Sequence, residues 1–309
     1  MELRHLRYFI AIAEEGHITR AAERLGMQQP PLSQQLKAME RELNVQLFIR
    51  KARGVELTDA GSALLDEARG MLAQLDRAVE ATRRAARGEQ GRLCLGVTST
   101  TPFHPLVPRA IRAFRAACPL VSLTVEECLS NESAERLQNE SMDAAFVRTT
   151  LPGATGLAVT VLFEEPMVVA LPKQHALARD KDAAALSMKH LTDETFILYG
   201  PPGTGMYDAT IAACQAAGFN PRVGNLGAST QQAPRIGSTL SLVSAGLGIT
   251  FVPASLQRMN LDGVTYRKIT ASAQPKAVLS VASRRGDASA VLKQFLAVVR
   301  KSAKPYAMS

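Results

Sequence analysis

Residues 18–43 hold two short helix patterns joined by a glycine, and this stretch constrains the fold more than any other part of the chain. In the first pattern, Ala21 and Ala22 place small apolar groups on one side, so that helix can pack closely against a neighbour. Thr19 can cap its start, and Gly26 can end it in left-handed backbone. The stretch therefore predicts two helices separated by a tight turn.

The second pattern has a buried side and a polar side. Pro30 and Pro31 fit only in the first turn of a helix. The apolar residues that follow recur at spacings of four and three: Leu32, Leu36, Met39 and Leu43. The other side carries short polar groups followed by cations: Ser33, Gln34, Lys37 and Arg41. This arrangement is typical of a recognition helix in a DNA major groove, although an ordinary helical hairpin has the same periodicity.

A basic hairpin pattern comes directly after these helices. Strand patterns at residues 46–49 and 55–57 flank a basic turn at residues 50–54 that has a glycine at its tip. A helix pair followed by a basic hairpin predicts a winged helix-turn-helix. The residues expected to contact DNA lie in the second helix and the turn: Gln29, Pro30, Pro31, Ser33, Gln34, Lys37, Arg50 and Arg53.

The segment from Leu6 to Gly61 resembles the N-terminal domain of the LysR-type transcriptional regulators: LRYFIAIAEEGHITRAAERLGMQQPPLSQQLKAMERELNVQLFIRKARGVELTDAG. The similarity, which is greatest to the branch that responds to aromatic acids and muconate, extends over nearly the whole chain. It implies an α+β N-terminal winged helix-turn-helix, a long linker helix and an α/β two-lobed effector domain like the periplasmic binding proteins. It also implies a sequence-specific DNA-binding transcriptional regulator.

A long helix pattern without proline follows Thr58, which can cap it, and Asp59 stands in its first turn. Small or apolar residues keep a four-three alternation along it: Leu64, Ala68, Met71, Leu75, Ala78 and Thr82. At about 1.5 Å per residue the helix would reach roughly 45 Å, too far to be buried in one small domain. We therefore expect it to pair with a second copy of itself, with packing inside its own chain as the alternative.

From residue 91 onwards, strand and helix patterns alternate, which indicates parallel sheet built from βαβ units. The first set comprises strands at residues 93–98, 121–126 and 144–148 with helices at 106–117 and 133–139. A second set begins near residue 167, and strands at 264–269 and 278–283 are expected to return to the first set. The predicted domains are a winged helix-turn-helix at 1–58, a dimerising linker helix at 59–88 and an effector-binding domain at 91–309, with lobe I at about 91–162 and 265–309 and lobe II at about 163–264.

A glycine-rich loop at residues 200–205, GPPGTG, follows a strand pattern and precedes a helix pattern. A phosphate-binding P-loop would need a lysine and a serine or threonine next, but this chain has Met206 and Tyr207 there. We therefore reject the interpretation of this loop as the P-loop of a nucleoside triphosphatase. The free N–H groups at the start of the following helix still suit a carboxylate.

Two further stretches are expected to face the same cleft. The hydroxyl residues 98–101 follow the opening strand, where ligands of open parallel sheets tend to bind, although they can also cap the next helix. Arg148 ends another strand and can hold a carboxylate with two hydrogen bonds, or else form a structural salt bridge.

The resemblance assigns effector roles to some of these residues. Thr101 matches the hydroxyl that holds the effector's carboxylate in the relatives, with Thr100 as the near alternative, and Ser130 and Tyr207 match lining positions. The residue patterns and the resemblance together give the expected effector site: Thr100, Thr101, Ser130, Arg148, Gly205, Met206 and Tyr207.

Composition narrows the possible function classes but does not identify site residues. The formal net charge is +8, but residues 1–90 hold 14 Lys and Arg against 13 Asp and Glu, so DNA binding is argued from the helix and the turn.

The four cysteines form no CxxC pair, which indicates free thiols in a reducing cytosol, with a redox sensor as the alternative. The five histidines show no metal-binding or catalytic spacing, so no cofactor is expected. The charge-free run at 236–257 is interpreted as a helix, a turn and a buried strand instead of a membrane span.

The sequence thus predicts a cytoplasmic regulator that is not an enzyme. Its expected partners are a double-stranded DNA operator, a small anionic effector that is a carboxylate, further copies of itself in a homodimer or homotetramer, and RNA polymerase, with no membrane. One alternative is an α/β metabolic enzyme with an N-terminal regulatory DNA-binding appendage, but no acid/base pair or cofactor fingerprint supports it. A solute-binding protein is a third possibility, and no export signal is visible.

Overall fold

The computed structural model describes residues 1–148, 151, 155–179, 184–200, 202–203, 205–223, 235–270 and 274–306. The chain divides into two compact units, residues 1–84 and 85–309. The elements of the first unit are α1 (Leu3–Glu15), α2 (Ile18–Arg24), α3 (Gln29–Leu43), β1 (Phe48–Lys51), β2 (Gly54–Leu57) and α4 (Asp59–Ala86), whose last two residues extend beyond it.

One hydrophobic core holds the three short helices of the first unit together. The predicted small residues Ala21 and Ala22 are buried, as are the apolar residues Leu32, Leu36 and Met39 of α3. The fully buried ring of Phe9 in α1 lies 5.3 Å from that of Phe48 at the start of the hairpin. The helix pair and the hairpin therefore form one folded body with α1.

Helix α2 follows the predicted chemistry at its end but not at its start. Gly26 has φ +65°, and the N–H of Met27 donates to the carbonyl of Ala22 at 3.0 Å, which closes α2. Thr19 does not cap α2, because the helix already begins at Ile18 and the threonine lies inside its first turn. The left-handed Gly16 ends α1 so close to Ile18 that no room remains for a later cap.

The hairpin is tighter than predicted. β1 and β2 pair antiparallel from Phe48 opposite Leu57 to Lys51 opposite Gly54, so only residues 52–53 form the turn and Arg50 lies on a strand. The predicted five-residue turn was wrong, because the antiparallel pairing continues to Lys51 and Gly54. Gly54, at φ +125°, approaches the carbonyl oxygen of Gly16 so closely that a Cβ there would clash.

The long helix α4 has the predicted cap and length. The N–H of Gly61 donates to Oγ1 of Thr58 at 2.9 Å, and the helix runs for 28 residues. Beyond Ala68 none of its residues is buried, and Met71 is 46 % exposed. Leu64 and Ala68 of the apolar seam pack on the core of the first unit, whereas the part of the seam beyond Ala68 has no partner within the described chain. The pairing of that part with a second copy stays a prediction.

In the second unit, seven strands of the described residues form one sheet in the order β10-β6-β11-β5-β3-β4, with β9 pairing beside β6. The strands are β3 (Gln90–Val97), β4 (Leu120–Glu127), β5 (Ala144–Val147), β6 (Leu157–Pro172), β7 (Thr195–Phe196), β8 (Arg222–Val223), β9 (Thr250–Pro253), β10 (Val264–Lys268) and β11 (Lys276–Arg284). The helices are α5 (Leu106–Ala117), α6 (Ser130–Gln138), α7 (Ala176–Arg179), α8 (Gly205–Ala216), α9 (Ile236–Ser244) and α10 (Ala290–Ala303). β7 and β8 pair separately.

The sheet is mixed, and two strands connect two hydrophobic cores. β3 pairs parallel with β4 and β5, as the βαβ pattern predicts, but β9, β10 and β11 pair antiparallel with β6. The expectation of parallel sheet in the second set therefore holds for β7 with β8 and for the bridge between Phe196 and Ile249, but it was wrong for β9 and β10. The 16-residue β6 passes from the core containing Leu162 to the core containing Met167, and β11 returns between Ala277 and Leu279. These crossings define lobe I and lobe II.

One lobe boundary differs from the prediction. Strand β10 pairs with residues 168–172 of β6, and Ile269 belongs to the core of lobe II. The chain therefore returns to lobe I at β11 instead of at residue 265. The alternation of a strand pattern predicts which side chains share a face, but it does not predict which strand lies beside it.

The charge-free run folds as the sequence predicts: helix α9 is followed by Gly246 at φ +80° and then by the buried strand β9. Among the helices that the structure describes, none is both long and apolar enough to cross a bilayer.

Candidate DNA interface and effector cleft

Helix α3 and the hairpin enclose a groove of about 1010 Å³ in the first unit. Of the predicted DNA contacts, Ser33, Lys37 and Arg50 line this groove. The predicted residues outside it are exposed on the first turns of α3 or on the hairpin turn: Gln29, Pro30, Pro31, Gln34 and Arg53. The groove also takes in Arg41 and Ile49, which lay in the helix and strand patterns but were not predicted as contacts.

Two of the three cations of the hairpin, Arg50 and Arg53, are available to bind an anion. Lys51 pairs with Glu56 at 3.2 Å across the two strands. Arg50 and Arg53 form no ion pair with any residue in the described part of the chain. Their exposed guanidinium groups are therefore available for phosphate oxygens.

In the second unit, parallel strands bring three polar residues to one edge of the sheet. β4, β3 and β5 run in the same direction, so Ser130, Thr98 and Arg148 lie together at or just beyond their carboxyl ends. Gly205 and Met206, at the start of α8 in lobe II, complete the opposite wall with Tyr199. We call this space the effector cleft: Thr98, Leu129, Ser130, Arg148, Tyr199, Gly200, Gly205 and Met206.

The effector cleft is nearly closed. It contains only about 20 Å³ of free space, which is room for roughly one water molecule. A ligand of several carbon atoms can therefore enter only if the lobes move apart. Pro201 and Thr204 of the glycine loop lie outside the described residues.

A buried ion pair occupies the base of the cleft. Nη1 of Arg148 lies 2.6 Å from Oε1 of Glu165, and the two residues are 3 % and 4 % exposed. Glu165 also accepts hydrogen bonds from the backbone N–H of Ser255 at 2.7 Å and from its hydroxyl at 3.0 Å. Burial lowers the pKa of Arg148, and the neighbouring Glu165 carboxylate opposes that shift. The structural salt bridge, which the sequence left as an alternative, is therefore present.

Some buried donors near the ion pair have no partner. Oγ1 of Thr98, Oγ1 of Thr100 and Nε of Arg148 make no hydrogen bond within the described residues. Oγ1 of Thr101 instead donates to the carbonyl of Thr98 at 3.0 Å, so its hydroxyl serves the local turn. Thr100 and Thr101 are fully buried and do not line the cleft. Tyr207 packs half-buried against the core of lobe II and does not line it either.

Two side-chain pairs join the lobes beside the cleft. The hydroxyls of Ser99 and Tyr199 lie 2.5 Å apart, and burial raises the pKa of Tyr199, so its phenol stays protonated. Nη1 of Arg235 lies 2.7 Å from Oε1 of Glu127. Tyr199 was not among the predicted site residues, although its place directly before the glycine loop at residues 200–205 was a usable signal.

The start of each helix at the cleft already has an internal carboxylate. Glu132 accepts a 3.4 Å hydrogen bond from the N–H of Leu129 at the start of α6. Asp208 accepts one of 3.0 Å from the N–H of Gly203 before α8. An anionic ligand would have to share these helix N-termini with the protein's own acids.

The thiols do not have the environment of a redox sensor. All four cysteines are free, and desolvation raises the pKa of each one, that of Cys214 to about 11. Because the thiolate is the reactive form, these sulfurs stay protonated and unreactive near neutral pH. No group of three or more His, Cys, Asp or Glu side chains in the described residues could hold a metal ion.

Comparison with known proteins identifies the family. Residues 3–62 match the model of the bacterial regulatory helix-turn-helix proteins of the lysR family, and residues 86–304 match the LysR substrate binding domain. The chain belongs to the LysR family of transcriptional regulators. The winged helix-turn-helix and the two-lobed α/β domain are therefore those of a LysR-type protein.

Individual relatives match this chain over nearly its full length. The chain is 38 % identical to the transcriptional regulator AlsR of Bacillus subtilis over 96 % of this chain and 94 % of that protein, and 36 % identical to BudR of Raoultella terrigena over 96 % and 99 %. The crystal structure of full-length CbnR complexed with its target DNA covers 98 % of this chain and 100 % of its own, with a TM-score of 0.83 and 29 % identity. These relatives are regulators, which decides against the alternative of a metabolic enzyme.

Proposed function

We propose that this LysR-type regulator works in the cytoplasm as a dimer or as a tetramer of two dimers. It binds a two-fold operator, and a small carboxylate in the effector cleft changes how the dimers sit on DNA and how they meet RNA polymerase. The proposed domains are the winged helix-turn-helix at 1–58, the dimerising helix at 59–88 and the effector domain from 91. Family membership supports the DNA-binding part of this proposal.

The observation that carries the effector proposal is the set of unpaired donors at the cleft. A buried hydroxyl without a partner loses its hydration and gains nothing in exchange, so it favours a ligand that accepts hydrogen bonds. Thr98 and the Nε of Arg148 are such donors at the cleft wall, and Ser130 adds a hydroxyl at the start of α6. A carboxylate is a strong hydrogen-bond acceptor, and a small one can enter the cleft after a modest opening of the lobes.

A thermal-shift screen of carboxylic acids tests the ligand class. Because a ligand that binds only the native state raises the melting temperature, a carboxylate effector should stabilise the protein in proportion to its affinity. The matching amides and alcohols serve as controls and should give smaller shifts. A panel in which the neutral analogues stabilise as strongly as the acids would contradict an anionic effector.

Thr98→Val should separate ligand binding from stability. The valine removes an unpaired hydroxyl, so the free protein should unfold at the same denaturant concentration or a higher one. The acid identified by the screen should bind about 1.5–3 kcal/mol more weakly, roughly 10- to 150-fold in Kd by calorimetry, because a hydrogen bond to a charged group is lost. Thr101→Val is the contrasting variant, since it breaks a local hydrogen bond and should lower stability with little change in Kd. The reverse result would place the effector at Thr101, as the family resemblance implies.

The DNA contacts divide into those that read bases and those that hold phosphates. We propose that Gln29, Ser33 and Gln34 face base edges, with Pro30 and Pro31 shaping the entry of α3 into the groove. The cations hold the backbone: Lys37, Arg50 and Arg53.

Two single variants distinguish these roles. Gln34→Ala should cost roughly 1–3 kcal/mol at one base position, whereas Arg53→Ala should weaken binding to every sequence and reduce the salt slope by about 1. Fluorescence anisotropy on an operator selected from a random library, and on its single-base changes, measures both effects. Equal loss of selectivity in the two variants would contradict the proposed docking.

A further inference from the structure

Two helices of the effector domain carry positive charge and no negative charge. Neither α5 nor α10 contains an aspartate or a glutamate. Seven exposed cations lie on these helices or at the cap of α10. Arg115 lines a separate pocket beside β4, and we call the other six the cationic face: Arg109, Arg112, Lys293, Arg300, Lys301 and Lys304.

The two helices form one surface because they pack side by side on the core of lobe I. The rings of Phe114 in α5 and Phe295 in α10 meet edge to face with centroids 5.3 Å apart. Their apolar sides are buried in the same hydrophobic cluster, so their charged sides are exposed on the same surface of lobe I.

This surface accounts for the charge excess of the whole chain. Of the net charge of +8, residues 1–90 contribute only one, because their 14 cations face 13 acids. The six cations of the cationic face and Arg115, also on α5, together match the excess of seven in the rest of the chain. The predicted DNA-binding unit is thus nearly neutral overall, while the effector domain is not.

Helix stability does not explain these charges. Cations near the end of a helix are favoured by its dipole, which applies to Arg300 and Lys301. Arg109 and Lys293 lie in the first turns of their helices, where the dipole favours an acid instead. None of the six cations forms an ion pair with a residue in the described part of the chain, and the nearby Arg87 and Glu89 pair with each other at 2.8 Å. The clustering therefore lacks an internal counter-charge.

The chemistry of the surface indicates a phosphate backbone. Protein interfaces are anchored by buried aromatic or aliphatic groups, and no large hydrophobic side chain is exposed on α5 or α10. Double-stranded DNA carries one negative charge per about 1.7 Å and needs no such anchor. We propose that the cationic face binds the phosphate backbone of double-stranded DNA outside the bases read by α3. This inference uses the DNA binding of the LysR family and does not depend on the proposed effector.

The test compares two full-length variants that lose the same charge. The face variant carries Arg109→Gln, Arg112→Gln, Arg300→Gln and Lys301→Gln. The control variant carries Gln at four exposed lysines elsewhere in the effector domain: Lys173, Lys189, Lys268 and Lys276. The probes are two duplexes with the same selected operator, one limited to its footprint and one extended by about 30 base pairs at each end, titrated over a range of KCl concentrations.

The extended duplex should bind wild type and the control variant more tightly than the short one. The face variant should lose that gain, and its salt slope on the extended duplex should fall by about 3.6, since each of the four lost phosphate contacts contributes about 0.9. A face variant reduced to Arg112→Gln and Lys301→Gln should lose about half as much slope. Circular dichroism should show wild-type melting in all variants, because the substituted side chains are exposed.

Two results would overturn the inference. In one, the face and control variants have equal slopes and affinities on both duplexes. In the other, the face variant binds both duplexes like wild type but loses activation in transcription with purified RNA polymerase, which would identify an acidic protein surface as the partner.

Discussion

Arg148→Ala should lower the free energy of unfolding of the effector domain by about 3–5 kcal/mol. The substitution leaves the carboxylate of Glu165 without its cation at a site where both residues are almost completely buried. The two hydrogen bonds from Ser255 remain, but they do not neutralise the charge. Urea denaturation of the variant and of wild type, followed by circular dichroism, measures the difference.

The double variant Arg148→Met/Glu165→Leu is the matched control. Replacing a buried ion pair by apolar side chains of similar volume is often neutral or stabilising, so this variant should unfold near the wild-type midpoint or above it. Glu165→Leu alone should be destabilising, because it leaves the guanidinium unpaired. A loss below about 1 kcal/mol in Arg148→Ala would mean that Glu165 reaches water in solution, and the buried pair would then be wrong.

This stability effect changes how the effector site is tested. We expected Arg148 to hold the effector directly, but the charge that would attract an anion is already balanced by Glu165. A lower effector affinity in Arg148→Ala would combine lost contact with lost structure. Thr98→Val avoids this problem, since its hydroxyl has no partner to lose.

The helices could be predicted from the sequence because their signals are local. The helix predicted at 106–117 is found at Leu106–Ala117, and Thr58 caps α4 as expected. Capping groups and apolar spacing act within a few residues, so reading them needs no knowledge of the rest of the fold. The errors at Thr19 and in the hairpin arose where elements meet, since α1 ends at Gly16 directly before α2, and Gly16 lies against Gly54 of the hairpin.

The sheet and the cleft were harder because they depend on contacts distant in sequence. A strand pattern does not state its neighbour, so β10 was assigned to the wrong lobe. Glu165 lies in the middle of β6, where an acid looks like a solvent-facing residue until Arg148 is placed beside it. The parallel strand ends were predictable, and they bring Ser130 and Arg148 together as expected. Among the hydroxyl residues 98–101, Thr98 lines the cleft instead of Thr101, because the chain turns into a short 3₁₀ helix at Thr101–Phe103.

The largest effect on DNA binding should come from a residue that touches no DNA. Met71 stands on the predicted seam of α4 and is 46 % exposed, so a partner helix is the natural cover for it. Met71→Asp would place an acid in the apolar seam of each helix. We expect the linker helices to separate while the fold of each chain stays intact.

Without that pairing, the second recognition helix no longer binds as part of the same molecule. Operator affinity should fall by about 10²- to 10⁴-fold, because the effective concentration of the second contact is lost. The footprint should shrink from two half-sites about one helical turn apart to a single half-site. Ala73→Asp adds the same charge at an exposed position on the other side of α4 and should leave dimerisation and footprint unchanged. If sedimentation and footprinting show a wild-type dimer on two half-sites in Met71→Asp, the seam lies elsewhere, and α4 is a spacer instead of the dimer contact.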